Sequence, residues 1–239
     1  WGELEGYSDI PKNGKLSAIK TRELRHGYYA CVSYVDALTG RLLKKLDELN
    51  LRKRTVVLLW GDHGFHLGEQ GLWTKANNYE LSTRVPLILS VPRQANPEAK
   101  TDALVEFVDL YPTLAEICDL PAPAKTEGIS LLPLLQKPNR PWKTAVFSQY
   151  PRSFQGNRHR KHGDLMGYAV RTQRHRYVEW RNWKTGTVEA RELYDHKTDP
   201  NETKNLAKEA SEKENLKQLQ QTLRSGWRAA LPTKSKEPK

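Results

Sequence analysis

The feature that most constrains the fold is a short apolar run at residues 55–60, Thr-Val-Val-Leu-Leu-Trp, which charged residues precede and Gly61 follows. An uninterrupted apolar and β-branched run of this length is typical of a strand covered on both faces. A second such run occupies residues 85–91, with Pro86 near its beginning, where a missing N–H is tolerated best. The two runs predict neighbouring strands of a buried sheet.

Helical patterns flank these two strands. From Tyr28 to Leu49 apolar residues recur every three or four positions, which predicts an amphipathic helix that stops at Asn50. Residues 109–118 predict a short helix, with Asp109 as N-cap and Pro112 in its first turn. The apolar face of the longer helix would consist of Val32, Val35, Leu38, Leu42, Leu46 and Leu49.

The order of these elements indicates an α/β body. Residues 1–20 are expected to be an extended lead-in, and residues 103–108 a further extended segment. Helix, strand, strand and helix separated by short loops are typical of a doubly wound sheet. We therefore predict part of a doubly wound, mainly parallel sheet.

The pattern changes after a proline-rich connector at residues 121–141. Residues 211–231 predict a helix, with Ser211 and Glu214 in capping-box spacing. A small antiparallel sheet is predicted by four short aromatic or β-branched stretches, at residues 147–150, 167–172, 177–183 and 192–194. We expect two domains, residues 1–141 and residues 142–239, the second ending in a basic tail.

The net charge of +11 comes from the second of these regions, because residues 140–239 contain 22 Lys and Arg against 11 Asp and Glu. Such an excess favours an anionic partner, although solvated surface charge is the common alternative. No zinc-finger, RNP or KH pattern supports nucleic-acid binding. No apolar run reaches the roughly 20 residues that span a bilayer. We expect no nucleic-acid partner and no membrane span, while a membrane surface or a sulfated polysaccharide stays open as the anionic partner.

The residues suited to chemistry follow the first predicted strand, in the run GDHGFHLGEQGLWTK at residues 61–75. In open α/β sheets the ligand crevice lies at the carboxyl ends of the strands, so Asp62 and His63 are expected to project into it. A carboxylate beside an imidazole is a candidate metal pair, and the charge of Lys75 suits a tetrahedral anion. The alternative is a structural turn, in which His63 satisfies a backbone carbonyl. His66 is close enough to face the same crevice, although a surface role is favoured.

This run resembles the sulfatase pattern, in which a strand ends in Asp-His-Gly, continues as Leu-Gly-Glu-x-Gly and reaches Trp-x-Lys before a Val-Pro-Leu-Ile strand. The Ser-Gln-Tyr-Pro-Arg of residues 148–152 and the Met-Gly-Tyr of residues 166–168 favour the iduronate-2-sulfatase branch. Further similar segments are residues 28–49, 108–121 and 192–207. The resemblance covers most of residues 25–210 and implies an alkaline-phosphatase/sulfatase-like fold.

The resemblance also implies a chemistry. Sulfatases hydrolyse sulfate esters with a formylglycine hydrate made from a Cys or Ser in a Cys/Ser-x-Pro-x-Arg motif, beside a calcium ion and basic side chains that neutralise the sulfate. Asp62 and His63 match the metal pair, and Lys75 matches the lysine that binds sulfate. Arg152 and Arg171 are candidates for a uronate carboxylate, with structural pairing as the alternative. The implied substrate is a sulfated uronic acid of a glycosaminoglycan-like polymer, in an exported, periplasmic or lysosome-like setting.

The chain departs from the family pattern at the nucleophile. Neither Cys31 nor Cys118 has Pro two and Arg four positions later, and both are expected to be small buried thiols. The paired aspartates that complete the family's calcium site have no counterpart before Tyr28. Because the chain begins at Trp1, we expect an upstream N-terminal half to supply these groups, and this chain alone to be inactive. Two alternatives are a metal-dependent phosphatase or phosphodiesterase, and a basic polyanion-binding module without catalysis.

Overall fold

The computed structural model describes residues 3–12, 15–94, 97–121, 125–152 and 164–233. By its internal contacts the chain divides into two compact units, Trp1–Arg93 and Gln94–Lys239. The basic cluster at residues 158–162 and the predicted tail from residue 234 lie outside the described residues. Among the described helices, none combines the length and the apolar character needed to cross a membrane.

The first unit is dominated by the helix α1, Ala18–Glu48. Its N-cap Ser17 accepts a hydrogen bond from the backbone N–H of Lys20 at 3.1 Å, so the helix begins ten residues before the predicted Tyr28. Asn50 follows with a left-handed φ of 55°, which confirms the predicted stop. Residues 4–6, predicted as part of an extended lead-in, instead form a 3-10 turn.

Four of the six residues of the predicted apolar face of α1 are exposed to solvent, and Leu38 and Leu46 are half-buried. Although α1 is described over its whole length, none of its residues is buried. Val32, Val35 and Leu42 are 53, 57 and 70% exposed. The expectation of buried thiols is also wrong, because Cys31 on α1 and Cys118 are both exposed. A stripe of this kind marks an interaction surface.

Both predicted strands of the first unit form, as β1, Val57–Trp60, and β4, Leu87–Ser90. The pair is antiparallel, with Val57 opposite Ser90 and Trp60 opposite Leu87, and parallel neighbours are absent from the described residues. β1 was predicted to be covered on both faces, but the described residues do not cover it in this way, since Trp60 is 47% exposed. The segment between the two strands contains β2, His66–Leu67, β3, Trp73–Thr74, and the short helix α2, Glu80–Thr83.

The second unit contains the predicted small antiparallel sheet, which is confirmed. Its strands lie in the order of the chain, each antiparallel to the next. They are β5, Ala145–Arg152, β6, Leu165–Thr172, β7, His175–Asn182, and β8, Val188–Asp195. The helices of this unit are α3, Leu110–Ile117, α4, Leu132–Gln136, and α5, Lys213–Ala229.

Helix α5 covers one face of this sheet. Its residues Leu216, Leu219 and Leu223 form its apolar side and belong to the same core cluster as Val170, Tyr177 and Leu193. The predicted capping box is wrong, because residues 210–212 form a 3-10 turn and the N-cap Glu212 makes no side-chain capping hydrogen bond. Packing of the apolar side therefore outweighs capping in fixing where this helix lies.

A buried ion cluster joins the residues on either side of the predicted connector. The ammonium of Lys143 lies 2.8 Å from both Glu106 and Asp109, and the side chains of Lys143 and Asp109 are 2 and 0% exposed. Asp109 also accepts from the backbone N–H of Glu106, so its side chain does not cap α3 as predicted. Residues 107–109 form a 3-10 turn in place of the predicted extended segment. By these contacts both sides of residue 141 belong to one compact unit, and the division into domains at that residue stays a prediction.

Replacement of Lys143 by Ala should strongly destabilise the complete protein, because it leaves the Asp109 carboxylate buried without its cation. We expect the free energy of unfolding in urea to fall by about 3–5 kcal/mol. Arg228→Ala is the matched control, since Arg228 lies 3.9 Å from Glu127 in an exposed pair, and it should change the value by less than about 1 kcal/mol. Equal losses in the two variants would contradict a structural role for the cluster.

Candidate metal and anion site

Asp62 and His63 lie next to each other in the loop that follows β1. Asp62 accepts a hydrogen bond from the backbone N–H of His63 at 3.0 Å. Its other carboxylate oxygen lies 3.7 Å from Nε2 of the His63 ring. The two side chains are 85 and 37% exposed. The loop therefore presents a carboxylate and an imidazole nitrogen side by side to solvent.

One hydrogen bond fixes the tautomer of His63. Its Nδ1 lies 2.8 Å from the carbonyl oxygen of Gly64. Because a carbonyl oxygen only accepts, Nδ1 carries the proton and Nε2 of the neutral ring keeps its lone pair. The structural turn and the metal site are thus compatible, since one ring nitrogen satisfies the backbone and the other is directed towards Asp62. Metal-binding histidines are commonly held in this way.

The geometry of this pair can be tested against a calcium ion. Calcium takes six to eight ligands, mostly oxygen, at about 2.3–2.6 Å. Asp62 Oδ2 and His63 Nε2 are 3.7 Å apart, less than twice that distance, so both can contact one ion. One carboxylate and one imidazole make two ligands of such a site. The pair therefore fits two ligand positions of a calcium site, and its role as metal ligands stays a prediction.

Gly64 determines where this loop lies. A Cβ atom at Gly64 would stand 1.9 Å from the carbonyl oxygen of Leu81, well inside any allowed contact. The backbone N–H of Gly64 donates to the carbonyl of Ser82 at 2.9 Å. Because Leu81 and Ser82 belong to α2, only glycine allows the loop that carries the metal pair to lie against this helix.

Lys75 directly follows β3 in the same unit. The residues on either side of it, Thr74 and Ala76, both have left-handed φ values, 68° and 79°. Its ammonium donates to Glu3 at 2.5 Å. This hydrogen bond raises the pKa of Lys75 against the opposing effect of burial, and the negative charge of Asp62 adds to the increase. Lys75 therefore lies within electrostatic reach of the metal pair.

The sequence interpretation missed two residues of this region. His66, expected at the surface, is instead fully buried. It lies opposite the equally buried Thr74 in the β2–β3 hairpin. Its Nε2 lies 3.4 Å from Asn77 Oδ1. Nothing in the sequence indicated a role for Glu3, because residues 1–20 show no hydrophobic periodicity. The fold of the lead-in alone brings its carboxylate to Lys75.

Arg152 and Arg171, the candidates for a uronate carboxylate, belong to the second unit. The guanidinium of Arg152, at the end of β5, lies 4.8 Å from the centre of the Trp180 ring, in a cation–π contact. Arg171 is half-buried on β6 and stands opposite Arg176 of β7. Their roles in substrate binding stay predictions.

Two family models match the chain. The model described as N-sulphoglucosamine sulphohydrolase, C-terminal, matches residues 68–228, and the model described as Sulfatase matches residues 5–120. A sulfatase of Formosa agariphila is 35% identical over 87% of this chain, and the iduronate 2-sulfatase of Homo sapiens is 33% identical over 77% of it. The chain spans 38 and 44% of the length of these two relatives.

Solved structures agree with these matches. One, described in complex with its substrate D-glucosamine-2-N,6-O-disulfate, is 29% identical and superposes with a TM-score of 0.71 over 81% of this chain and 38% of its own. This likeness confirms the predicted fold class, an α/β body with a small antiparallel sheet and helix.

Replacement of Gly64 by Ala in the complete protein should displace the metal loop, because the added methyl group would overlap the Leu81 carbonyl. We expect the free energy of unfolding in urea to fall by about 1–3 kcal/mol, and calcium affinity measured by calorimetry to weaken. Gly61→Ala is the control in the same loop, since its Cβ would meet Val85 at an ordinary 3.4 Å. If Gly64→Ala were as stable as the control, the loop would not depend on this contact.

Proposed function

Since the chain belongs to the sulfatase family, we propose that the complete protein is a sulfuric ester hydrolase and that this chain contributes part of its active site. The observation that carries the proposal is the cluster of Asp62, His63 and Lys75. Two ligand atoms suited to a metal lie 3.7 Å apart, and a charged ammonium is within electrostatic reach of them. A metal with a neighbouring cation suits a tetrahedral anion that bears negative charge.

Each residue has a distinct role in the proposal. Asp62 and His63 hold a calcium ion, which when bound stabilises negative charge on the sulfate oxygens. His63 contributes Nε2, because Nδ1 donates to Gly64. Lys75 binds and orients a sulfate oxygen through its ammonium and offsets the charge that develops as the ester bond breaks. The formylglycine nucleophile and the remaining calcium ligands belong to the upstream half of the protein.

The proposed substrate is a sulfated uronic acid of a glycosaminoglycan-like polymer, as in an iduronate-2-sulfatase. Support comes from the identity to iduronate 2-sulfatase and from the motifs at residues 148–152 and 166–168. In this proposal Arg152 or Arg171 recognises the uronate carboxylate, for which the guanidinium fork is suited. The two do not share one carboxylate, because Arg171 lies opposite Val146, roughly 20 Å along β5 from Arg152. The cation–π contact of Arg152 with Trp180 would hold its guanidinium plane in one orientation.

The proposed partner of this chain is the N-terminal half of the same protein. The support is the exposed apolar stripe of α1, together with Ile88 on β4, which is 61% exposed. None of the 31 residues of α1 is buried, so packing within this chain alone stabilises the helix little. Since the chain spans less than half of its relatives' length, the missing portion is large enough to cover this surface.

Replacement of Lys75 by Ala should lower kcat/KM of the complete protein towards 4-nitrophenyl sulfate by roughly 10² or more, the scale at which one preorganised oxyanion donor acts. Lys20→Ala is the control, since Lys20 pairs with Asp9 and Glu23 at the surface of the same unit. An unchanged rate for Lys75→Ala would remove Lys75 from the site. Absence of turnover of both 4-nitrophenyl sulfate and a uronate 2-sulfate by a wild-type protein that carries formylglycine would refute the proposed activity.

The isolated 239-residue chain should hydrolyse no sulfate ester and bind calcium weakly, because it offers one carboxylate and one imidazole and leaves most of the coordination to water. It should also aggregate through the exposed face of α1. Mixing it with the upstream half, produced with formylglycine, should restore solubility and turnover. Measurable hydrolysis of 4-nitrophenyl sulfate by the purified chain alone would place the nucleophile within this chain.

A further inference from the structure

The carboxylate of Glu3 makes a contact that the family motifs do not account for. It accepts a hydrogen bond from the ammonium of Lys75 at 2.5 Å across 72 positions of sequence. Burial by itself raises the pKa of Glu3, but the hydrogen bonds from Lys75 and Thr74 outweigh it and lower the pKa. Glu3 is thus bound to the lysine that the proposed function assigns to the sulfate group.

Apolar packing brings Glu3 to this position. Leu4, the next residue, is 6% exposed and belongs to one buried cluster with Ile10 and Trp73. Trp73 lies two residues before Lys75, so the packing of Leu4 with Trp73 places the two charged side chains on the same side of the unit. Glu3 precedes the 3-10 turn of residues 4–6 but makes no capping hydrogen bond, so its carboxylate remains available to Lys75.

The surroundings of Lys75 leave the position of its ammonium to be fixed by a side-chain contact. Lys75 stands between two left-handed residues, Thr74 and Ala76, a conformation that costs energy for residues other than glycine. Its side chain is 33% exposed, and a lysine has a long stem with considerable rotamer freedom. A single hydrogen bond to Glu3 would restrict this freedom and leave two N–H donors of the ammonium for sulfate oxygens.

We propose that Glu3 is a positioning residue of the sulfate site, which holds the Lys75 ammonium beside Asp62 and His63 with two donors free for the sulfate group. The proposal rests on the proposed sulfatase function. It predicts that Glu3 acts on the rate of the chemical step through Lys75, since small misplacements of a charge-stabilising group cost catalysis more than ground-state binding.

The test compares three variants of the complete protein with 4-nitrophenyl sulfate as substrate. Glu3→Ala should lower kcat about tenfold with a smaller change in KM. Glu3→Gln, which keeps a hydrogen-bond acceptor, should recover most of the loss. Asp9→Ala is the matched control, because it removes another carboxylate–lysine pair of the same segment, with Lys20 at 3.0 Å, and should leave both constants unchanged.

Two outcomes would overturn the proposal. A higher kcat/KM for Glu3→Ala, with tighter inhibition by inorganic sulfate, would mean that Glu3 competes with sulfate for Lys75. An unchanged kcat with only a lower melting temperature would reduce Glu3 to a structural residue.

A second readout does not depend on turnover. Trace labelling with acetic anhydride, followed by mass spectrometry, measures how readily each lysine amine reacts. Because Glu3 raises the pKa of Lys75, Lys75 should react faster in Glu3→Ala than in the wild type. Lys20 of the same samples is the internal reference and should not change. If the wild type hydrolyses no sulfate ester, the proposed function fails, and this labelling still decides whether Glu3 holds Lys75; equal labelling would refute the contact.

Discussion

The burial of Trp73 with Leu4 and Ile10 is the interaction on which the geometry of the site region depends. The same cluster includes half-buried Leu24 of α1 and Leu67 of β2, so it joins the lead-in, the long helix and the β2–β3 hairpin. A buried tryptophan contributes on the order of 4 kcal/mol through its apolar area, whereas a partly exposed ion pair contributes about 1 kcal/mol or less. The apolar cluster therefore decides where Lys75 lies, and the ion pair between Lys75 and Glu3 refines that position.

Backbone geometry acts with this cluster to bring the candidate site together. Gly64 lets the loop of Asp62 and His63 lie against α2, because the Leu81 carbonyl occupies the space of a side chain. Thr74 and Ala76, on either side of Lys75, both adopt left-handed φ values where the hairpin ends. The apolar cluster, the Gly64 contact and these backbone conformations thus fix Lys75 and the loop of Asp62 and His63 without a ligand. Such preorganisation is what electrostatic catalysis requires.

The second unit uses much of its positive charge internally. Arg176 pairs with Glu202 at 2.6 Å, and both side chains are 2% exposed. Arg174 donates to Asp195, a hydrogen bond that holds the pKa of that carboxyl well below its usual range. Buried cations need such partners, because an unpaired charge in an apolar interior is costly. The basic composition of residues 140–239 therefore reflects structural pairing as well as any polyanion-binding surface.

Local pattern was enough to predict α1, α3, α5, the strands β1 and β4 and the four-stranded sheet, and it singled out Asp62 and His63 as a candidate metal pair, whose role stays a prediction. The apolar period of α1, the two apolar runs and the four aromatic stretches each specify an element from nearby residues, and Asp62 and His63 follow a strand directly. Contacts between distant residues were decided by the tertiary structure: Glu3 at Lys75, Gly64 against Leu81, and Lys143 between Glu106 and Asp109. The burial of His66 and the exposure of α1 were likewise decided by the tertiary structure. A periodic pattern identifies which face of an element is apolar, but only the folded chain determines what that face meets.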